Sequence, residues 1–498
     1  MPEVIDQDPH SHPTSRSRVS YRGRILLTIA VLLLVGAAVS VYSLTRVRSA
    51  EPLDTLRHAA TQGDQVAQFE LGHYYMRVVE PSNAAEAAKW FGMAAEQGHA
   101  RAQCLLGLMY ANGTGVPQDA LESVKWYRRS AESGYDLAQF QLGNVLNRGS
   151  GVPRDPAQAV IWWRRAAEQG MAKAQGNLGL AFANGEGVSQ DFAESARWYR
   201  MAADQGDADA QTQLGQMYYV GRGVPQDIPE AMKWLRLAAE QGVAASQANL
   251  GMLYLEGNGI AIDPLEAVKW LRLAAEQGNA LAQYNMGVSC EKGDGQRRNI
   301  AEAIRWYRLA AEQGEARAQY NLGLLYQQAK DYPTDLVQAA AWYRRAAEGG
   351  YPPAQCSLGA MLAKGEGVPR DLAEAIRWYR QAATQGEPTA QYNLGDKYDR
   401  GEGVPKDADE ATRWYMLAAE GGSPHGQLAL AYQYANGNGV PEDLIRAYAW
   451  ASLAANAGHE SAAEYRDKVG QYLTREQITE ANAIAAAFVR RPSSNNKD

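Results

Sequence analysis

Apolar and polar positions follow a fixed order that returns every 36 residues along most of the chain. The segment "AEAIRWYRLAAEQGEARAQYNLGLLY", Ala301 to Tyr326, comes back nearly unchanged as "AEAIRWYRQAATQGEPTAQYNLGDKY" at Ala373 to Tyr398. Tryptophan marks the period at 90, 126, 162, 198, 234, 270, 306, 342, 378, 414 and 450, and only Trp163 lies off the series. Self-similarity at such a period is the signature of a solenoid, in which each unit buries its apolar face only against its neighbours. The pattern therefore predicts one long stack rather than several globular domains.

Each period holds two helical patterns. One carries A-Q-x-x-L-G-x-x-Y, as in Ala318, Gln319, Leu322, Gly323 and Tyr326, with Leu and Tyr four apart on one face and Gly between them for close approach of a neighbouring helix. The other carries the Trp and opens on Asp or Asn, from Asn83 and Asp119 through Asn299 to Asp443, with Glu or Gln three residues on in ten of eleven cases; Arg446 is the exception. That spacing predicts a capping box. This second helix stops at a Gly such as Gly134, Gly278 or Gly314, suited to a left-handed C-cap. A "GTGVPQD" type of loop joins the first helix to the second.

The A-Q-x-x-L-G-x-x-Y helix, the G-x-G-V-x-x-D loop and the W-Y-R-x-A-A-E-Q-G helix together resemble the Sel-1-like repeats, relatives of the tetratricopeptide repeat. The resemblance implies an all-α, right-handed α-solenoid of about eleven 36-residue helix pairs with a C-terminal helical cap. It also implies a scaffold for other proteins, often in bacterial envelopes and signalling assemblies, whose first helices line the concave face. Some secreted relatives pin each repeat with a disulfide. Here Cys104, Cys290 and Cys356 fall in distant repeats, so they are expected to be core residues and not a disulfide framework or a metal site.

The expected organisation is a disordered cytoplasmic tail at 1–24, a transmembrane signal anchor at 25–44, a linker and N-terminal helix at 45–63, the repeat solenoid at 64–458, capping helices at 459–490 and a disordered tail at 491–498. The anchor rests on "ILLTIAVLLLVGAAVSVYSL", twenty residues without charge, long enough for a hydrocarbon core of about 30 Å. With Arg16, Arg18, Arg22 and Arg24 before it and only Arg46 and Arg48 behind, it predicts a single-pass inner membrane protein with a periplasmic or extracytoplasmic repeat domain; secretion after signal cleavage is the alternative.

Candidate chemistry is sparse. No G-x-G motif continues to G-K-[ST], the seven His are scattered, and no Ser, His and acid grouping stands out, so neither catalytic residue, metal site nor cofactor is expected. Arg128, Arg164, Arg200, Arg236, Arg272, Arg308, Arg344 and Arg380 follow Trp by two residues, and all but the last have Glu or Asp four residues on, which predicts i,i+4 pairs. Neutralised in that way, in a chain of net charge −7 and pI near 5.7, the Arg stripe does not point to nucleic acid.

What remains is the surface. Asn177, Asn249, Asn285, Asn321 and Asn393 precede the Leu-Gly, with Tyr284, Tyr320 and Tyr392 beside them. Asn can pair with both N–H and C=O of an extended backbone and Tyr offers broad apolar contact, although the same residues could equally pack helix on helix. The loops "EKGDGQRRN" and "QQAKDYPTD", Glu291 to Asn299 and Gln327 to Asp335, depart from the consensus in consecutive repeats. They are expected to set Arg297, Arg298, Lys330 and Tyr332 beside that column as a patch for an acidic partner. The function expected is a membrane-anchored, non-enzymatic scaffold binding a protein or peptide, with polysaccharide or peptidoglycan as the alternative ligand.

Overall fold

The computed structural model describes residues 50–77 and 83–489, and among them every regular element is an α-helix. A first helix, α1 (Ala50–Thr61), is followed by eleven helix pairs, α2 to α23, beginning with Gln65–Arg77 and Ala84–Glu96 and ending with Pro424–Asn436 and Leu444–Asn456. Two more helices, α24 (Ala462–Gly470) and α25 (Arg475–Val489), close the described chain. Residues through Trp198 and those from Tyr199 onward form two compact units, and each is a stack of antiparallel pairs. The architecture is an all-α solenoid.

The Gly of L-G sets how closely a pair closes. A Cβ on Gly323 would lie 2.4 Å from Cε1 of Tyr343, and one on Gly287 would lie 2.5 Å from Cδ1 of Tyr307. Only hydrogen fits there. The connecting loop turns on two glycines of positive φ, Gly113 and Gly115 in the second pair, and Gly115 passes so near the carbonyl of Ala84 that a side chain has no room.

The second helices are capped, but only half of the expected box forms. Asp119 Oδ1 accepts from the Glu122 amide at 3.1 Å, and Asp371 Oδ1 from the Glu374 amide at 2.8 Å. The cap residue's own N–H is already taken by the preceding helix, as in Asp371 N to Leu362 O at 3.0 Å. The glutamate is therefore released to a different task. Glu230, Glu266, Glu302, Glu374 and Glu410 accept the indole N–H of the Trp four residues on, at 3.0 to 3.3 Å. The buried N–H groups of Trp342, four residues after Gln338, and of Trp90 and Trp198, four residues after Glu86 and Glu194, find no partner.

Glutamine carries a second link that runs from pair to pair. The buried Gln of A-Q donates Nε2 to a carbonyl eight residues back, as in Gln283 to Ala275 at 3.0 Å, while its Oε1 accepts from the Gln of E-Q-G thirty residues on, as in Gln313 at 2.7 Å. Gln241 with Gln211 and Gln385 with Gln355 repeat the arrangement. The relay breaks where the loop Gln is missing. Ser133 and Ala457 stand at that loop position, and the carbonyls of Gln103 and Gln427 are buried without a partner. Ser133→Gln is expected to raise stability by about 1 kcal/mol, one hydrogen bond's worth, and chemical denaturation of the variant checks it.

The thiols of Cys104, Cys290 and Cys356 are buried and unbridged, as expected of core residues. Burial pushes all three up, Cys290 to about 11, so none is a thiolate at neutral pH.

The expected localisation needs correction. Among the described residues no helix is long and apolar enough to cross a membrane, and the 25–44 segment lies outside the described residues. The placement as a single-pass inner membrane protein is accordingly withdrawn. The expected tails at 1–24 and 491–498 also lie outside the described residues.

Candidate partner-binding surface

The Asn column sits on the first helices, and most of its amides are engaged within the stack. Asn285, 8% exposed, donates to the Leu281 carbonyl of its own helix at 2.9 Å. Asn321 donates to the Tyr307 hydroxyl at 3.1 Å, Asn177 to Asn144 Oδ1 at 3.0 Å, and Asn393 lies 3.6 Å from the Cys356 sulfur. Asn249 is half-buried. The amides of Asn177, Asn321 and Asn393 thus reach other helices, whereas that of Asn285 stays within its own.

The tyrosines are half-buried and lean on neighbouring rings. Tyr284 lies 5.9 Å from Tyr307 and carries the Arg317 guanidinium 4.6 Å above its ring. Tyr320 sits between Tyr343 and Tyr351, at 5.6 and 5.5 Å, and Tyr392 between Tyr415 and His425. Burial raises the pKa of all three hydroxyls, so each stays a neutral donor at physiological pH. A mixed aromatic and cationic surface results around α14 (Ala280–Lys292) and α16 (Ala316–Gln328).

The two divergent loops do meet. Arg298 of one forms an ion pair with Asp331 of the other, and its Nε donates to the Glu291 carbonyl at 3.0 Å. Arg297 and Lys330 are exposed and form no ion pair among the described residues. Tyr332 packs down at 5.8 Å from Tyr326 and contributes to the core instead. The loops differ more from each other than their sequences suggest. Gly293 and Gly295 keep the positive φ of the consensus loop, whereas Ala329 is extended where other pairs have a left-handed Gly.

The Arg stripe finds partners other than those expected. Arg308 and Arg380 donate to Tyr326 and Tyr398 hydroxyls at 2.6 and 2.7 Å, and Arg272 and Arg344 pair with Glu302 and Glu374 of the following pair at 3.3 and 2.6 Å. The acid four residues on is left to solvent. A partner in the half-buried groove between pairs meets a lower dielectric and holds the guanidinium better. Arg344 correspondingly keeps the Glu374 carboxyl below its ordinary range. Charge near the end of the stack is also self-contained, with Arg400 on Asp396 at 2.7 Å and Lys397 on Glu402 at 2.6 Å.

The fold defines a helical-repeat protein whose recurring side chains hold the stack together. The Sel1 repeat model matches eleven times in succession, over residues 65–99, 100–135, 136–171, 172–207, 208–243, 244–279, 280–315, 316–351, 352–387, 388–423 and 424–459. The chain belongs to the Sel1 repeat family. Members are generally protein-interaction scaffolds. Among solved structures it is similar to the protective antigen c5321 of uropathogenic Escherichia coli strains, at 36% identity and a TM-score of 0.81 over 88% of this chain and 94% of that one. A Sel1 repeat protein from Oxalobacter formigenes matches at 34% identity and a TM-score of 0.48, covering 69% and 89% of the two chains. No curated protein sequence matches.

Proposed function

We propose that the chain is a non-enzymatic scaffold that takes a protein or peptide partner on the face of its first helices, centred on α14 and α16. The observation that supports this most is the pair of exposed, unpaired cations Arg297 and Lys330, on the loops that leave the helices carrying the half-buried rings of Tyr284 and Tyr320. Both cations face solvent. They suit an acidic segment, with the tyrosines as apolar contact at low entropic cost.

Arg297→Glu combined with Lys330→Glu is expected to lower recovery of a captured partner about tenfold while leaving the melting temperature unchanged, because rim charges steer association without supporting the core. The comparison uses the full chain and the double variant as baits under identical salt. Equal recovery by both baits would remove the patch from the binding surface. Retention of the full chain on purified peptidoglycan or polysaccharide, with no protein partner, would replace this reading by glycan recognition.

A further inference from the structure

The third helix pair differs from the seventh and eighth at two positions, Asn147 and Trp163, that line one cavity. It comprises α6 (Asp136–Arg148) and α7 (Pro156–Glu168), followed by α8 (Ala172–Asn184). In the seventh and eighth pairs the tyrosine after the Trp donates its hydroxyl back to the first helix, Tyr307 to Glu291 at 2.8 Å and Tyr343 to Gln327 at 2.9 Å. Whole periods earlier, Asn147 holds the acceptor position and Trp163 the tyrosine position.

Trp163 has no hydroxyl to give. Its indole N–H turns to Asn144 Oδ1 at 3.1 Å, an oxygen that also accepts from Asn177. Asn147 Oδ1 is left buried with no donor. It borders a cavity of about 150 Å3 lined by Asn144, Asn147, Arg148, Trp163, Asn177 and Glu186, with Leu180 and Ala181 as the apolar wall. That space equals roughly five waters' share of liquid volume, enough for one peptide unit. Glu186 is occupied by an ion pair with Arg154, whereas Arg148 is exposed and forms no ion pair among the described residues.

The occupant's chemistry follows from these groups. Asn147 and Arg148 end α6, where helix carbonyls add negative partial charge, so the buried oxygen calls for an N–H donor. An anion nearby needs the guanidinium of Arg148. The Trp163 ring is only 5% exposed and offers no platform for a sugar. We propose that this cavity seats one peptide group of an extended acidic chain, its N–H donated to Asn147 Oδ1 and the adjoining carboxylate set against Arg148. The proposal rests on the scaffold reading but places a contact far along the chain from Arg297 and Lys330.

Saturation-transfer NMR on the full chain tests it, with N-acetyl-aspartate N′-methylamide as probe and N-acetyl-alanine N′-methylamide and sodium acetate as comparisons. The aspartate probe is expected to give about threefold more signal than the alanine probe, the scale of one exposed ion pair, and Arg148→Ala to abolish that difference. Trp163→Tyr restores the internal hydroxyl donor to Asn147 and is expected to cut the signal about tenfold with the fold intact. Should that variant not fold, Asn147→Ala is expected to give the same loss. Acetate matching the aspartate probe, equal signal from a folded Trp163→Tyr protein, or no signal from the unaltered chain overturns the proposal. Partner capture through Arg297 and Lys330 alongside a silent cavity would remove the cavity and leave the scaffold reading standing.

Discussion

Replacing Gly323 by Ala is expected to destabilise the eighth helix pair by about 3 kcal/mol, the upper range for overpacking a well-filled core. The new Cβ would stand 2.4 Å from Cε1, 2.5 Å from Cδ1 and 2.9 Å from Cζ of Tyr343. That ring cannot withdraw. It is fully buried, its hydroxyl is fixed to Gln327, and Tyr320 lies against it. Gly176 supplies the control, since it is helical, has nothing within 4 Å of an added Cβ, and is expected to gain up to about 1 kcal/mol on becoming Ala. Because pairs in a solenoid couple mainly to their neighbours, hydrogen exchange of α16 and α17 (Leu336–Glu348) should locate the loss there. If Gly323→Ala and Gly176→Ala unfold alike, close packing at the Leu-Gly step is not what closes the pair.

The fold was legible because the same physical demand recurs at every period. A Trp every 36 residues, a Gly that only a hydrogen can replace, and an Asp that caps each second helix are local requirements, and each is readable in a short stretch of sequence. Misread were the partners of long side chains. Arg272 has an acid four residues on at Glu276, yet it reaches forward thirty residues to Glu302, and no helical-wheel argument contains that distance. Glu374 was assigned to a backbone N–H that the preceding helix had already claimed, so its carboxylate went to Trp378.

The glutamine relay was hidden for a related reason. Its two halves are thirty residues apart, six short of the period, and lie in motifs that read separately as a helix and a cap. A signal was nevertheless present: Gln97, Gln169, Gln241, Gln277, Gln313 and Gln385 hold one column, and the two buried Gln carbonyls facing Ser133 and Ala457 are among those left without a donor. Of the candidate surface, the Asn and Tyr columns were placed on the right helices, but sequence could not show that Asn285 and Asn321 spend their amide N–H on Leu281 and Tyr307. Trp163 was visible as the one Trp off the series. Its consequence, an orphaned oxygen on Asn147, needed the neighbouring helix.

Deleting residues 474–498 is expected to make the chain associate and to remove about 4 kcal/mol from its last pair. Here the sequence pattern, Thr474 with Gln477, does form the complete reciprocal box: Thr474 N–H donates to Gln477 Oε1 at 2.8 Å and the Gln477 amide to Thr474 Oγ1 at 3.3 Å. It starts α25 in register to lay Ala481 and Ala485, both buried, and the partly buried Ile484 and Phe488 over α23 (Leu444–Asn456), with the Phe488 ring 4.4 Å from that of Trp450. Trp450 is 4% exposed with α25 in place. Baring it and losing Phe488 together forfeits two large aromatic burials, each worth about 2 kcal/mol. The uncovered face would be a contiguous apolar patch at the end of a stack, the kind of surface that draws a second copy. Ala481→Asp tests the same contact at full length, since a carboxylate buried there has no partner and should lift α25 away. Light scattering after size exclusion reads association, and urea denaturation reads the loss. A truncated chain that remains monomeric and melts with the full-length protein would show that α25 is a tail and that the eleventh pair closes the stack by itself.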